Sequence, residues 1–153
     1  MKAKSNDAVS LLTSEHREVA DLFKQYEALG DRAKAGKKRL ADQICTALIV
    51  HAMVEEEIFY PAVREGGKEA EEMIDEAVVE HASGKDLIAQ IQEMDPEDEL
   101  YDAKVKVLSE QIEHHVQEEE KDMFPLARKG KLDLEALGAE MAMRKEELAA
   151  AGV

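Results

Sequence analysis

The stretch HAMVEEEIFYP, residues 51–61, places a histidine and a carboxylate where a buried helix face wants apolar side chains. Read with a helical period, Leu48, His51, Glu55 and Ile58 share one face, and the two aliphatic residues mark that face as the inward one. Burying His51 and Glu55 is costly unless something inside the protein engages them. The rest of the chain is read with that requirement in view.

The same offsets return in HVQEEEKDMFP, residues 115–125, where His115 is followed four residues on by Glu119, then by Glu120, and the segment again ends in proline. Two further helical segments each carry a lone Glu-His pair, Glu15-His16 and Glu80-His81. His16 precedes His51 by 35 residues and His81 precedes His115 by 34, so the chain reads as two copies of one helical hairpin. Each copy has a histidine on its first helix and His-x-x-x-Glu on its second.

Five helices are predicted, over about 6–29, 37–64, 70–92, 97–128 and 134–149. Gly30-Asp31, Gly66-Gly67, Asp95-Pro96 and Gly130 punctuate them. The short connections make sequence neighbours antiparallel neighbours in space. The expected fold is all-α: an up-down-up-down antiparallel four-helix bundle over 6–130, with a short C-terminal helical extension over 131–153. Composition agrees, since Ala, Glu, Lys, Leu and Met are prominent and there are only three prolines and no tryptophan.

In such a bundle the i, i+4 spacing presents an imidazole nitrogen and a carboxylate oxygen to one point between helices. Two such pairs and one histidine from each remaining helix give four histidines and two glutamates in the core. Nitrogen and oxygen donors without thiolates suit iron or manganese better than structural zinc. If Glu55 and Glu119 bridge two octahedral ions, the protein fills about eight of about twelve positions and an oxo or hydroxo bridge takes two more, leaving room for a small ligand.

These residues resemble the hemerythrin-like family, the HHE cation-binding domains, over about residues 11–128. The resemblance rests on His16, HAMVEEE, His81 and HVQEEE in the right order on four successive helices. It implies a di-iron centre held by His16, His51, Glu55, His81, His115 and Glu119 with the carboxylates bridging, and a role with oxygen, peroxide or nitric oxide. The oxygen carriers of the family have a second histidine four residues away on the third helix, where this chain has Ala77 and Lys85. They also place the second carboxylate five residues after its histidine. Here the repeat points to Glu119, four after His115, with Glu120 as the competing residue. Both departures argue against reversible oxygen transport and for a more open, more reactive centre.

His114 lies about 100° round the helix from His115 and reads as a solvated residue. Glu56, Glu57, Glu118 and Glu120 read as an acidic face, one of which could orient a ligand histidine. Phe23, Ile58, Ile88 and Ile112 are expected in the core as a dry wall around the site, and Met53, Met73, Met94 and Met123 as gap fillers. The single Cys45 reads as a buried, reduced thiol. A formal net charge of −15 opposes contact with nucleic acid or anionic lipid, and no apolar run approaches a membrane span. Residues 1–10 lack the apolar core of a secretion signal, so a cytoplasmic protein is expected. The function classes in play are a small-ligand binder or sensor, an enzyme acting on peroxide, oxygen or nitric oxide, and a weakly metal-binding interaction domain.

Overall fold

The computed structural model describes residues 7–153, so the expected helix start at Asn6 and the first six residues of the leader reading lie outside the described residues. Helix α1 spans Ala8–Glu27 and is capped by Asp7, whose carboxylate accepts the Ser10 N–H at 2.8 Å. Helix α2 runs over 34–64 and α3 over Lys68–Glu93. The chain enters α3 through Gly67 at φ 122°, a left-handed value that a Cβ would oppose. Helix α4 runs over 101–129 and α5 over Leu134–Ala150, with the Asp133 carboxylate accepting the Ala136 N–H at 3.0 Å. Helix α4 starts four residues later than the expected position 97. The Asp95 carboxylate accepts the Glu97 N–H at 2.8 Å and the Asp98 carboxylate accepts the Asp95 N–H at 2.9 Å, which holds this segment in a turn.

Helices α1 and α2 pack together, as do α3 and α4, and contacts of α2 with α3 and of α1 with α4 close the four-helix ring. The C-terminal helix α5 lies on α1 and α2 of its own bundle. It inserts Met141 and Leu148 into the core and is tied down by ion pairs from Arg144 to Glu57 and from Lys145 to Glu15, both at 2.7 Å. Among the described residues there is no strand, and no helix is long and apolar enough to cross a membrane.

The core is split. One apolar cluster gathers Leu12, Val54, Phe59, Ile74 and Phe124, and another gathers Phe23, Ile44, Leu48, Ile91 and Leu108. Burial of each such side chain stabilises by roughly 1.5–3 kcal/mol. On α1, α3 and α4 a histidine lies between the residues given to the two clusters, and on α2 His51 follows Val50 at the boundary, so a polar layer separates them. Glu15, His16, Glu55, His115 and Glu119 are buried polar side chains of that layer.

Helices α2 and α4 each widen into one π-helical turn, at Glu55–Phe59 and Glu119–Met123. The Tyr60 N–H bonds back to the Glu55 carbonyl and the Phe124 N–H to that of Glu119, five residues each instead of four. Pro61 and Pro125 follow directly. A proline has no N–H to give, and its ring crowds the carbonyl four residues back, so the chain relaxes by widening the turn before it. The extra residue rotates everything downstream. Ile58, expected inside, is only partly buried, and Phe59 and Tyr60 take the core positions, at 0% and 2% exposure. A regular helical period misplaces the stripe after Glu55 for that reason.

Candidate metal centre

The π turns sit where the candidate ligand carboxylates are, which places Glu55 and Glu119 at the middle of the bundle at 0% and 1% exposure. Donor atoms of His16, His51, Glu55 and Glu119 lie within 4.8 Å of one another, and so do those of Glu55, His81, His115 and Glu119. All six residues singled out in the sequence therefore come together, with both carboxylates common to the two sets. His16 Nε2 is 3.1 Å from Glu119 Oε1, His81 Nε2 3.1 Å from Glu55 Oε1, and His115 Nε2 3.1 Å from Glu119 Oε2. Glu120 is not in this cluster; its carboxylate lies 2.8 Å from His16 Nδ1.

That contact is one of four. His51 Nδ1 donates to Glu15, His81 Nδ1 to Glu56 and His115 Nδ1 to Glu80, each at 2.6 Å. A carboxylate only accepts, so each histidine holds its proton on Nδ1 and turns Nε2 inward as a lone pair. The two Glu-His pairs noted in the sequence are thus split, because Glu15 and Glu80 serve the histidine of the neighbouring helix. Two of these carboxylates are themselves fixed by cations, Glu15 by Lys145 at 2.7 Å and Glu56 by Lys85 at 2.9 Å. Glu57 instead pairs with Arg144. His114 is 68% exposed, 3.4 Å from Glu118 and 3.9 Å from Glu80, and points away from the cluster.

The inner face has too few protons. Four Nε2 atoms and the oxygens of two carboxylates converge, and His16 Nε2, His51 Nε2, Glu55 Oε2 and Glu119 Oε1 are buried without a hydrogen-bond partner. His81 Nε2 and His115 Nε2 face each other at 3.2 Å. Lone pairs brought this close need a cation between them. Without metal, that cation is a proton. Burial works against charge on His115, but the bonded and charged Glu119, with Glu55 and Glu80, lifts its pKa to about 10. His51 is likewise raised, burial being outweighed by Glu55 and Glu15, and Glu55 is held well below the usual carboxylate range by His51 and His81. The donor set fits metal cations, which would displace these protons.

Tyr60 was missed in the sequence. Its hydroxyl, with one proton to give, donates to Glu119 and lies 3.1 Å from Glu55 Oε1, and its oxygen is 3.2 Å from both His81 Nε2 and His115 Nε2. Burial and the two carboxylates push its pKa far up, so the phenol is neutral. Its counterpart in the second repeat is Phe124, whose ring stacks on His16 with centroids 5.8 Å apart. The hydroxyl is what distinguishes the two halves of the site. Its one sequence signal is a tyrosine just before Pro61, five residues after Glu55, an offset that faces inward only across a π turn.

Of the expected apolar wall, Ile88 and Ile112 border a cavity beside the histidines, whereas Phe23 packs in the cluster farther from the π turns and Ile58 beside the other cluster. Cys45 is buried, and burial pushes its thiol up to about 11.

A crystal structure of a hemerythrin HHE cation binding domain-containing protein from Mycobacterium kansasii superposes with a TM-score of 0.81, covering 95% of this chain and 88% of that one at 24% identity. At that identity the likeness speaks for the fold. A Nostoc sp. protein described as a DNA nickase is 29% identical over 120 residues, or 77% of this chain, and the matched region spans 32% of that longer protein. The Hemerythrin HHE cation binding domain model matches residues 7–127. With most of its length matched and the histidine and glutamate clusters assembled in a helical bundle, the chain belongs to the hemerythrin HHE cation binding domain family.

Proposed function

We propose that the chain is a non-haem di-iron protein that binds a small oxygen-derived ligand, dioxygen or peroxide, in the bundle core. The observation that carries this reading is the set of four inward Nε2 lone pairs, each fixed by a carboxylate on Nδ1, around two shared buried carboxylates. His16, His51, Glu55 and Glu119 would hold one iron, and Glu55, His81, His115 and Glu119 the other, with the Tyr60 oxygen beside the second set. Mixed imidazole and carboxylate donors suit iron or manganese, and the set lacks the thiolates that would favour structural zinc. The iron pair would supply Lewis acidity and two electrons to a bound oxidant.

The chain's own contributions follow from the geometry. Glu15, Glu56, Glu80 and Glu120 keep the imidazoles in one tautomer and orientation, and Tyr60 holds a proton against Glu119. That proton favours a second reading, in which the protein reacts with peroxide as an enzyme and does not simply bind or sense its ligand. Nicking of DNA is not part of the proposal, because 35 acidic against 20 basic residues oppose phosphate contact. We place the protein in the cytoplasm.

Elemental analysis of protein purified in air tests the iron reading. About two irons per chain are expected, with loss of the pair in His51→Ala and Glu119→Ala and retention in His114→Ala. Full iron occupancy in either of the first two variants would overturn the ligand assignment. Rapid consumption of peroxide would then select the enzymatic reading over binding.

A further inference from the structure

Beside the imidazoles lies a cavity of about 280 Å³. All four ligand histidines border it, while Glu55, Glu119 and Tyr60 do not, so it adjoins the histidine face of the centre. Its other walls include Val19, Leu48, Ile88 and Ile112, and exposed Lys85 and Gln111 border its solvent side. Dioxygen or hydrogen peroxide would leave most of this space unused. An apolar cavity of about 150 Å³ already suffices for benzene.

A second observation concerns Gly84. It is buried in the interior of α3, three residues after His81 and four before Ile88, and it lines the same cavity. A glycine inside a helix costs roughly 1 kcal/mol relative to alanine. Packing does not explain it, since a Cβ built there meets nothing within 4 Å. What the missing side chain does is keep the cavity wall open.

We propose that this cavity receives the apolar part of a small organic substrate whose oxygen head faces the four histidines, and that the ligand class is an alkyl or aryl hydroperoxide of about ten heavy atoms. The oxygen head rests on the di-iron reading above. The apolar part rests on the cavity walls and on Gly84 alone; His114 and Lys85 stand at the rim, and the two lining carboxylates, Glu15 and Glu80, are engaged by His51 and His115 Nδ1.

The probe is cumyl alcohol, the redox-inert alcohol of cumene hydroperoxide, titrated calorimetrically into the protein as purified, with metal content measured on the same sample. One saturable site is expected. Gly84→Leu, which fills the wall with a good helix former at a position that is not itself a proposed ligand, should keep the helical spectrum and the metal content and weaken binding at least tenfold. Gly84→Ala should bind more weakly than wild type but remain measurable. Absence of saturable binding to protein that carries two irons would overturn the cavity proposal alone, as would equal binding by Gly84→Leu. Binding to protein that takes up no iron would overturn the di-iron reading and with it the hydroperoxide class.

Discussion

Replacing Tyr60 by Phe removes a single oxygen and makes the second half of the site a copy of the first, where Phe124 stands. In metal-free protein that oxygen carries the one O–H directed at the two buried carboxylates. A hydrogen bond to a charged group contributes about 1.5–3 kcal/mol, and here its loss leaves Glu119 short of a donor at 1% exposure. In a domain of this length each kcal/mol moves the melting temperature by about 2–4 °C. Metal-free Tyr60→Phe should therefore melt about 3–12 °C below the wild type by circular dichroism at neutral pH. In iron-loaded protein the same hydroxyl, 3.2 Å from the Nε2 atoms of both His81 and His115, would be the proton source of the peroxide-consuming reading. Iron-loaded Tyr60→Phe should therefore consume peroxide more slowly than the wild type at unchanged iron content. An unchanged melting temperature together with an unchanged rate of peroxide consumption would refute the role assigned to this hydroxyl.

Two further outcomes follow from the contacts around the site and at the far end of the bundle. Glu80→Gln removes the charged acceptor from His115 Nδ1 without touching the inner cluster, so iron affinity should fall about 10–100-fold while the fold persists; competition with a chelator measures it, and unchanged affinity would remove Glu80 from the site. At the other end, Asp102 accepts from Tyr26 at 2.7 Å and from Lys37, whose ammonium is buried. The Tyr26 hydrogen bond, with Lys37, lowers the Asp102 pKa despite some desolvation, so its stabilisation is present above the unfolded value of about 3.9 and is lost as pH falls through the lower folded value. Because Asp102 is half exposed, screening limits the effect. Asp102→Asn should cost about 1 kcal/mol at pH 7 and almost nothing near pH 2, as read from urea melts at both.

The sequence by itself determined the helices, their antiparallel order and the six residues that converge. Apolar periodicity, glycine and proline punctuation and the i, i+4 spacing are local properties, and the repeat of His-x-x-x-Glu made the cluster visible without coordinates. Tertiary structure alone decided three things. The π turns moved Phe59, Tyr60 and Phe124 inward, because a proline relieved its clash by widening the turn before it, and a fixed period of 3.6 cannot register an inserted residue. The partners of the four Nδ1 atoms come from neighbouring helices, so which glutamate holds which histidine is undecided until the helices pack: Glu15 and Glu80 stand beside a different histidine in the sequence, and Glu56 and Glu120 belong to an acidic face from which one residue is expected to orient a ligand. The cavity at Gly84 is an absence shared by four helices, and no single stretch of sequence records an empty volume.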